Sequence, residues 1–146
     1  VLSTIVEHEV QLSSQDSLKF LVKESDLIVV IDKIKKNVGL FTGVNAHVVV
    51  VISGRETNED IRIMAKTKFP DKGSYLTFVN FQEGKSLIFL SKEGNVYRPT
   101  TGSSVLNVWE SRVYPVWDYK DGYGTGLGQV IEDIKNMKAL LEKTEP

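Results

Sequence analysis

Glu83-Gly84-Lys85-Ser86-Leu87-Ile88-Phe89-Leu90 is the stretch that sets the fold class of this chain. Its glycine permits a tight turn, and the large residues after it read as a buried strand. Three long β runs precede it. Leu27 to Ile34 is β-branched and nearly continuous, ending at Lys35-Lys36-Asn37-Val38-Gly39. Ala46 to Ile52 holds five successive apolar residues, which predicts a strand covered on both faces for part of its length, as in a closed barrel. Ser53-Gly54 after it predicts a bulge or bend. Asp60 to Phe69 alternates, with Ile61, Ile63 and Ala65 opposed to Arg62, Met64 and Lys66, before Pro70-Asp71-Lys72-Gly73 turns the chain. This ordered set describes a small β-barrel.

Outward from the barrel, Ser86 to Ser91 and Asn95 to Arg98 predict a hairpin around Lys92-Glu93-Gly94-Asn95. Val105 to Tyr114 predicts one or two further strands, broken near Glu110-Ser111. The last element changes period: Leu127, Val130, Ile131, Ile134, Met137, Leu140 and Leu141 share one helical face, opposite Glu132, Asp133, Lys135 and Lys138. Upstream, Ser13-Ser14-Gln15-Asp16 offers N-cap oxygens for a short helix through Leu18, Phe20, Leu21 and Val22. Val1 to Leu12 reads as an entry strand or extended arm.

At 146 residues the chain suits one domain, residues 1–146, without any staple. Its 41% hydrophobic and 25% charged residues are ordinary for a globular protein, and a net charge of -1 gives no basic field for nucleic acid or anionic membrane. The absence of cysteine excludes disulfides, thiolate zinc sites and a cysteine nucleophile. No apolar run approaches the length of a transmembrane segment.

From Ser25-Asp26-Leu27-Ile28-Val29-Val30, through the second and third strands, to Phe81-Gln82-Glu83-Gly84-Lys85-Ser86-Leu87-Ile88-Phe89-Leu90, the chain resembles the OB-fold group of tissue inhibitors of metalloproteinases and netrin-like domains, in particular its bacterial members. The resemblance covers about residues 16 to 115. It implies a mainly β fold: a five-stranded OB-like Greek-key barrel with a short N-terminal helix and a C-terminal amphipathic helix. It also implies a secreted or lipid-anchored, extracytoplasmic protein with a leader upstream of Val1. In the animal inhibitors a mature N-terminal cysteine chelates the target's zinc. Val1 stands there in a cysteine-free chain, so inhibition by that mechanism is not expected.

Gly84-Lys85-Ser86 is no P-loop, because Val79 occupies the place of the required glycine and a strand follows. His8 and His47 lack a second ligand at helical spacing and read as solvated strand residues. No Gly-x-Ser-x-Gly elbow accompanies them, and neither an enzyme nor a cofactor is expected. Asp118 and Asp121 before Gly122 read as turn residues rather than calcium ligands. Gly122, Gly124, Gly126 and Gly128 read as a flexible linker, with Thr125 near the cap of the final helix; an anion at that helix start is the alternative.

The aromatic group Trp109, Tyr114, Trp117, Tyr119 and Tyr123 is the one local concentration above background. Trp109 and Tyr114, in strand-like sequence, are expected in the core. Trp117, Tyr119 and Tyr123, in polar and glycine-rich surroundings, are the candidate contact residues for a protein or glycan partner; the alternative is that they fold back to cover an open end of the barrel. The expected function is a non-catalytic binding or protein-interaction module. The alternative is single-stranded nucleic-acid binding through Arg62, Lys66, Lys68 and Lys72, which the interspersed Asp60 and Asp71 disfavour.

Overall fold

The computed structural model describes residues 18–36, 43–69, 84–101, 104–113 and 125–144. In chain order these form α1 (Leu18–Glu24), β1 (Leu27–Lys36), β2 (Gly43–Ser53), β3 (Asp60–Met64), β4 (Lys85–Glu93), β5 (Val96–Pro99), β6 (Val105–Trp109), β7 (Arg112–Val113), β8 (Thr125–Gly126) and α2 (Leu127–Thr144).

Strands β1, β2, β3, β5 and β4 follow one another around a ring that closes where β4 returns to β1. All but one of these contacts are antiparallel; β3 meets β5 in parallel at Ile63 and Tyr97. This is a closed five-stranded OB-like barrel, with a short helix before it and a longer helix after it. The chain continues the sheet beyond the barrel, because the first half of β4 also pairs with β6, and β6 leads on to β7 and β8.

The seam between β1 and β4 explains both continuous apolar runs. Leu27, Val29 and Ile31 of β1, with Ile88 and Leu90 of β4, point into the barrel and pack with Val44, Ala46, Ile61, Ile63 and Tyr97. Ile28 and Val30, with Leu87 and Phe89, point outward into a second core closed by Leu18, Leu21 and Val22 of α1 and by Val130 and Ile134 of α2. Each strand is thus buried on both faces, and alternation of residue type has no reason to appear. At about 25 cal/mol per Å² of apolar surface removed from water, this doubly covered seam is a principal source of stability.

The double cover expected for part of β2 occurs only at its end, where Val51 packs on the barrel core and Ile52 is buried in the outer core. The register of β2 with β1 skips Val49 and Ile52, so the strand bulges twice and its face assignment shifts within the run. Val49 and Val50 are consequently exposed, at 44% and 43%, while Val48 and Val51 pack partly on the barrel core. Gly54 then bends the chain at φ 93°, where an added Cβ would lie 2.3 Å from the Asp26 carbonyl oxygen. Only glycine fits that approach.

Strand β3 alternates as expected, with Ile61 and Ile63 inside and Asp60 and Arg62 outside. On α2 the expected face packs on the outer core through Leu127, Val130, Ile131, Ile134, Met137 and Leu141, but Leu140 stays 54% exposed. Leu140 lies on the margin of the stripe, turned away from the core that Met137 and Leu141 reach. Thr125 and Gly126, read as linker, instead pair with Val113 and Arg112. A strand forms there because an open edge of β7 is available to it.

Polar side chains stitch the barrel end nearest α1. The Ser25 and Ser91 hydroxyls both meet the Thr100 hydroxyl, at 2.7 and 3.0 Å, and Ser91 Oγ also donates to the Glu24 carbonyl at 3.3 Å. All three side chains are buried and mutually satisfied, so this cluster costs little desolvation and fixes α1 against β4 and the chain after β5. Asp26 adds a carboxylate that accepts from the Lys92 backbone N–H at 2.7 Å. Among the described residues no helix is long and apolar enough to cross a membrane.

Candidate functional site

The extension of the sheet, β6 with β7, presents the most exposed large apolar side chain among the described residues. Alternation along β6 sends Leu106 and Val108 toward the helix-side core, with Val113 of β7 beside them, and sends Asn107 and Trp109 to the opposite, wet side. Trp109 is 67% exposed. The expectation that it belongs to the core is therefore corrected: strand context buries only one face, and the parity of this residue is wrong for it.

A two-residue loop, Glu110-Ser111, joins the strands, and Trp109 lies directly across from Arg112. Both loop residues have positive φ, 51° and 62°. That is the requirement of a type I′ hairpin turn, normally met by asparagine and glycine. Holding non-glycine residues there costs about 1 kcal/mol or more each, and such strain persists only where the surroundings over-determine it. Here the surroundings are identifiable. The Ser111 carbonyl accepts from the Leu127 N–H at the start of α2 at 2.8 Å, β7 is clamped by β8, and Val113 is fully buried. The hairpin is pinned from behind, and its front carries the indole.

A second surface is the outer side of β1, β2 and β3. Register places Asp32, His47 and Asp60 in one row across the three strands, with Asn45 and Arg62 in the neighbouring row. The His47 Nδ1 and Asp60 Oδ1 lie 3.4 Å apart, a long contact between a half-exposed imidazole and an exposed carboxylate. Asp32 Oδ1 is buried and has no hydrogen-bond partner. No group of three or more His, Cys, Asp and Glu side chains that could hold a metal occurs among the described residues. Sequence reasoning missed this row because cross-strand neighbours are set by register, which spacing within a strand does not reveal.

The basic stretch offered for nucleic acid divides. Arg62, Lys66 and Lys68 are exposed, but Asp60 shares their outer face. Lys68 Nζ lies 5.2 Å from the Phe69 ring centroid, and that ring meets Phe20 edge-on at 5.2 Å, so its edges are engaged in holding α1. Lys72 lies outside the described residues.

At the barrel mouth Tyr97 crosses the interior and its hydroxyl donates to Glu56 Oε1 at 2.7 Å. Glu56 Oε2 accepts from the Thr57 and Asn58 backbone N–H groups and from Asn58 Nδ2. These bonds, the phenol's first, favour the charged carboxylate and hold Glu56 below its ordinary range against some opposing desolvation. Burial, followed by the hydrogen bond and charge of Glu56 and the charge of Asp26, pushes the Tyr97 phenol well above its ordinary value. The pair holds the β2–β3 loop over the barrel end.

Trp117, Tyr119 and Tyr123, the contact residues expected from sequence, lie outside the described residues, as do Tyr114, His8, Asp118 and Asp121. Gly84-Lys85-Ser86 opens a strand, with Ser86 buried, so its letters form no phosphate loop. No known protein family, curated protein or solved structure matches this chain.

Proposed function

We propose that this chain is a non-catalytic binding module that presents Trp109 to an extracytoplasmic partner. The observation that carries the reading is the exposed indole on a strained two-residue turn braced by α2. A turn under no other demand would carry asparagine-glycine at 110 and 111. Trp109 combines large contact area with few rotors, which is why tryptophan is enriched at binding hot spots. Trp117, Tyr119 and Tyr123, which follow Trp109 within one short stretch of sequence, remain the further contact residues that the sequence proposes. The extracytoplasmic location rests on the resemblance of Ser25 to Leu90 to inhibitor-like and netrin-like barrels.

The test is capture of partners by the purified chain from extracellular and cytoplasmic fractions of its source, at low and high salt, beside Trp109→Ala. The reading expects salt-resistant capture of one defined extracellular component, lost in the variant. Equal capture by both proteins would sink it. Salt-labile capture of nucleic acid would move the function to Arg62, Lys66 and Lys68.

A further inference from the structure

Resting on that reading of the hairpin, we infer that the partner of Trp109 is a neutral oligosaccharide, with one pyranose ring held flat against the indole. The neighbours of the ring select this chemistry. On the described surface the indole is bordered by exposed Asn107, Glu110, Ser111 and Arg112, while Leu106, Val108 and Val113 of the same hairpin face the opposite side and Val105, at the far end of β6, packs against the barrel core. A stable protein interface needs about 800 Å² on each partner around a contiguous apolar centre, and among the described residues the polar borders of this ring do not supply one. A sugar ring needs far less. One of its faces is a small patch of C–H bonds, which pack on the electron-rich face of an indole, and its rim is hydroxyls that want planar polar groups.

One such group stands on the same face. Asn107 lies two residues before Trp109 on the same side of β6, and its amide both donates and accepts. The carboxylate of Glu110 offsets the charge of Arg112, so the face has no net field to select a polyanion such as a sulfated glycan or a nucleic acid. The strained turn completes the argument. A small ligand gains little binding energy, and a ring already fixed by its hairpin does not have to be ordered when the ligand arrives.

The experiment is an amide and indole NMR titration of the full chain with hexamers of β-1,4-linked glucose, β-1,3-linked glucose and β-1,4-linked N-acetylglucosamine, with a heparin hexamer and an oligothymidylate as anionic comparators. The chain has two tryptophans, so Trp109→Phe assigns the indole signals. The expected result is a saturable shift of the Trp109 indole N–H with at least one neutral hexamer. Trp109→Ala then weakens that affinity about tenfold, the scale of one lost aromatic contact, and Trp109→Tyr retains most of it. Asn107→Ala weakens it about threefold, keeping the inference testable on a variant that leaves the ring in place. No shift with any neutral hexamer, or shifts with the anionic comparators alone, overturns the oligosaccharide. If Trp109→Ala still abolishes capture of a defined protein in that case, the binding-module reading survives without it; if capture is also unchanged, both fail.

Discussion

The β1–β4 seam and the β6–β7 hairpin belong to one continuous sheet, and they obey opposite rules. At the seam Leu27 to Ile31 and Leu87 to Leu90 are buried on both faces, and every local preference agrees with the fold. At the hairpin one of the two tryptophans faces water and two ordinary residues hold a backbone conformation that suits glycine. The difference teaches where stability and function reside. A residue that the fold explains tells nothing about partners, whereas Trp109, Glu110 and Ser111 are unexplained by folding and point to use.

The contrast can be broken first at its strongest point. Phe89 is fully buried in the outer core, so Phe89→Ala is expected to destabilise the protein by about 4 kcal/mol, measured by urea denaturation. A loss under about 1 kcal/mol would mean that the seam is not the centre of stability. Gly54→Ala comes next. Its Cβ collides with the Asp26 carbonyl oxygen at a φ that disfavours side chains, and a loss of about 3 kcal/mol is expected by the same measurement.

A third prediction concerns pH. The depressed Glu56 carboxyl contributes stability that is present above its unfolded-state range and is lost as pH falls through the folded value. The raised Tyr97 phenol contributes stability that is full below its ordinary value and is lost as pH rises beyond it. Tyr97→Phe should remove the alkaline arm and flatten the acid one, at a cost of about 1 kcal/mol near neutrality. Denaturation profiles of the two proteins from acid to alkaline pH would show it; superimposable profiles would contradict the loop contact.

The smallest change should be a gain. Replacing Glu110-Ser111 by asparagine-glycine satisfies the turn and is expected to raise stability by about 1 kcal/mol. A loss instead would show that the two native side chains make contacts that compensate their strain.

Much of the fold was legible because hydrophobic pattern survives translation into structure. β3 alternates, α2 carries a helical stripe, and β4 announces itself by an apolar run after Gly84. The pattern failed where geometry intervened: the two bulges in β2 left Val49 and Val50 in water although their sequence reads as core. Trp109 failed for a related reason. Hydrophobicity predicts burial, and nothing in the string of letters tells which side of β6 has a core behind it. The row Asp32, His47 and Asp60 required a register that single strands do not encode. The loop signal at Glu110-Ser111, by contrast, was readable, and it marks the turn that carries the candidate site.

The most direct test is to measure unfolding free energy and partner binding together on Trp109→Ala. With most of the ring in solvent, stability should change by less than about 0.5 kcal/mol, while binding falls at least about tenfold. A variant destabilised by about 2 kcal/mol or more that still binds would contradict the account. The indole would then be part of the fold's closure, and the contact surface would have to be sought elsewhere.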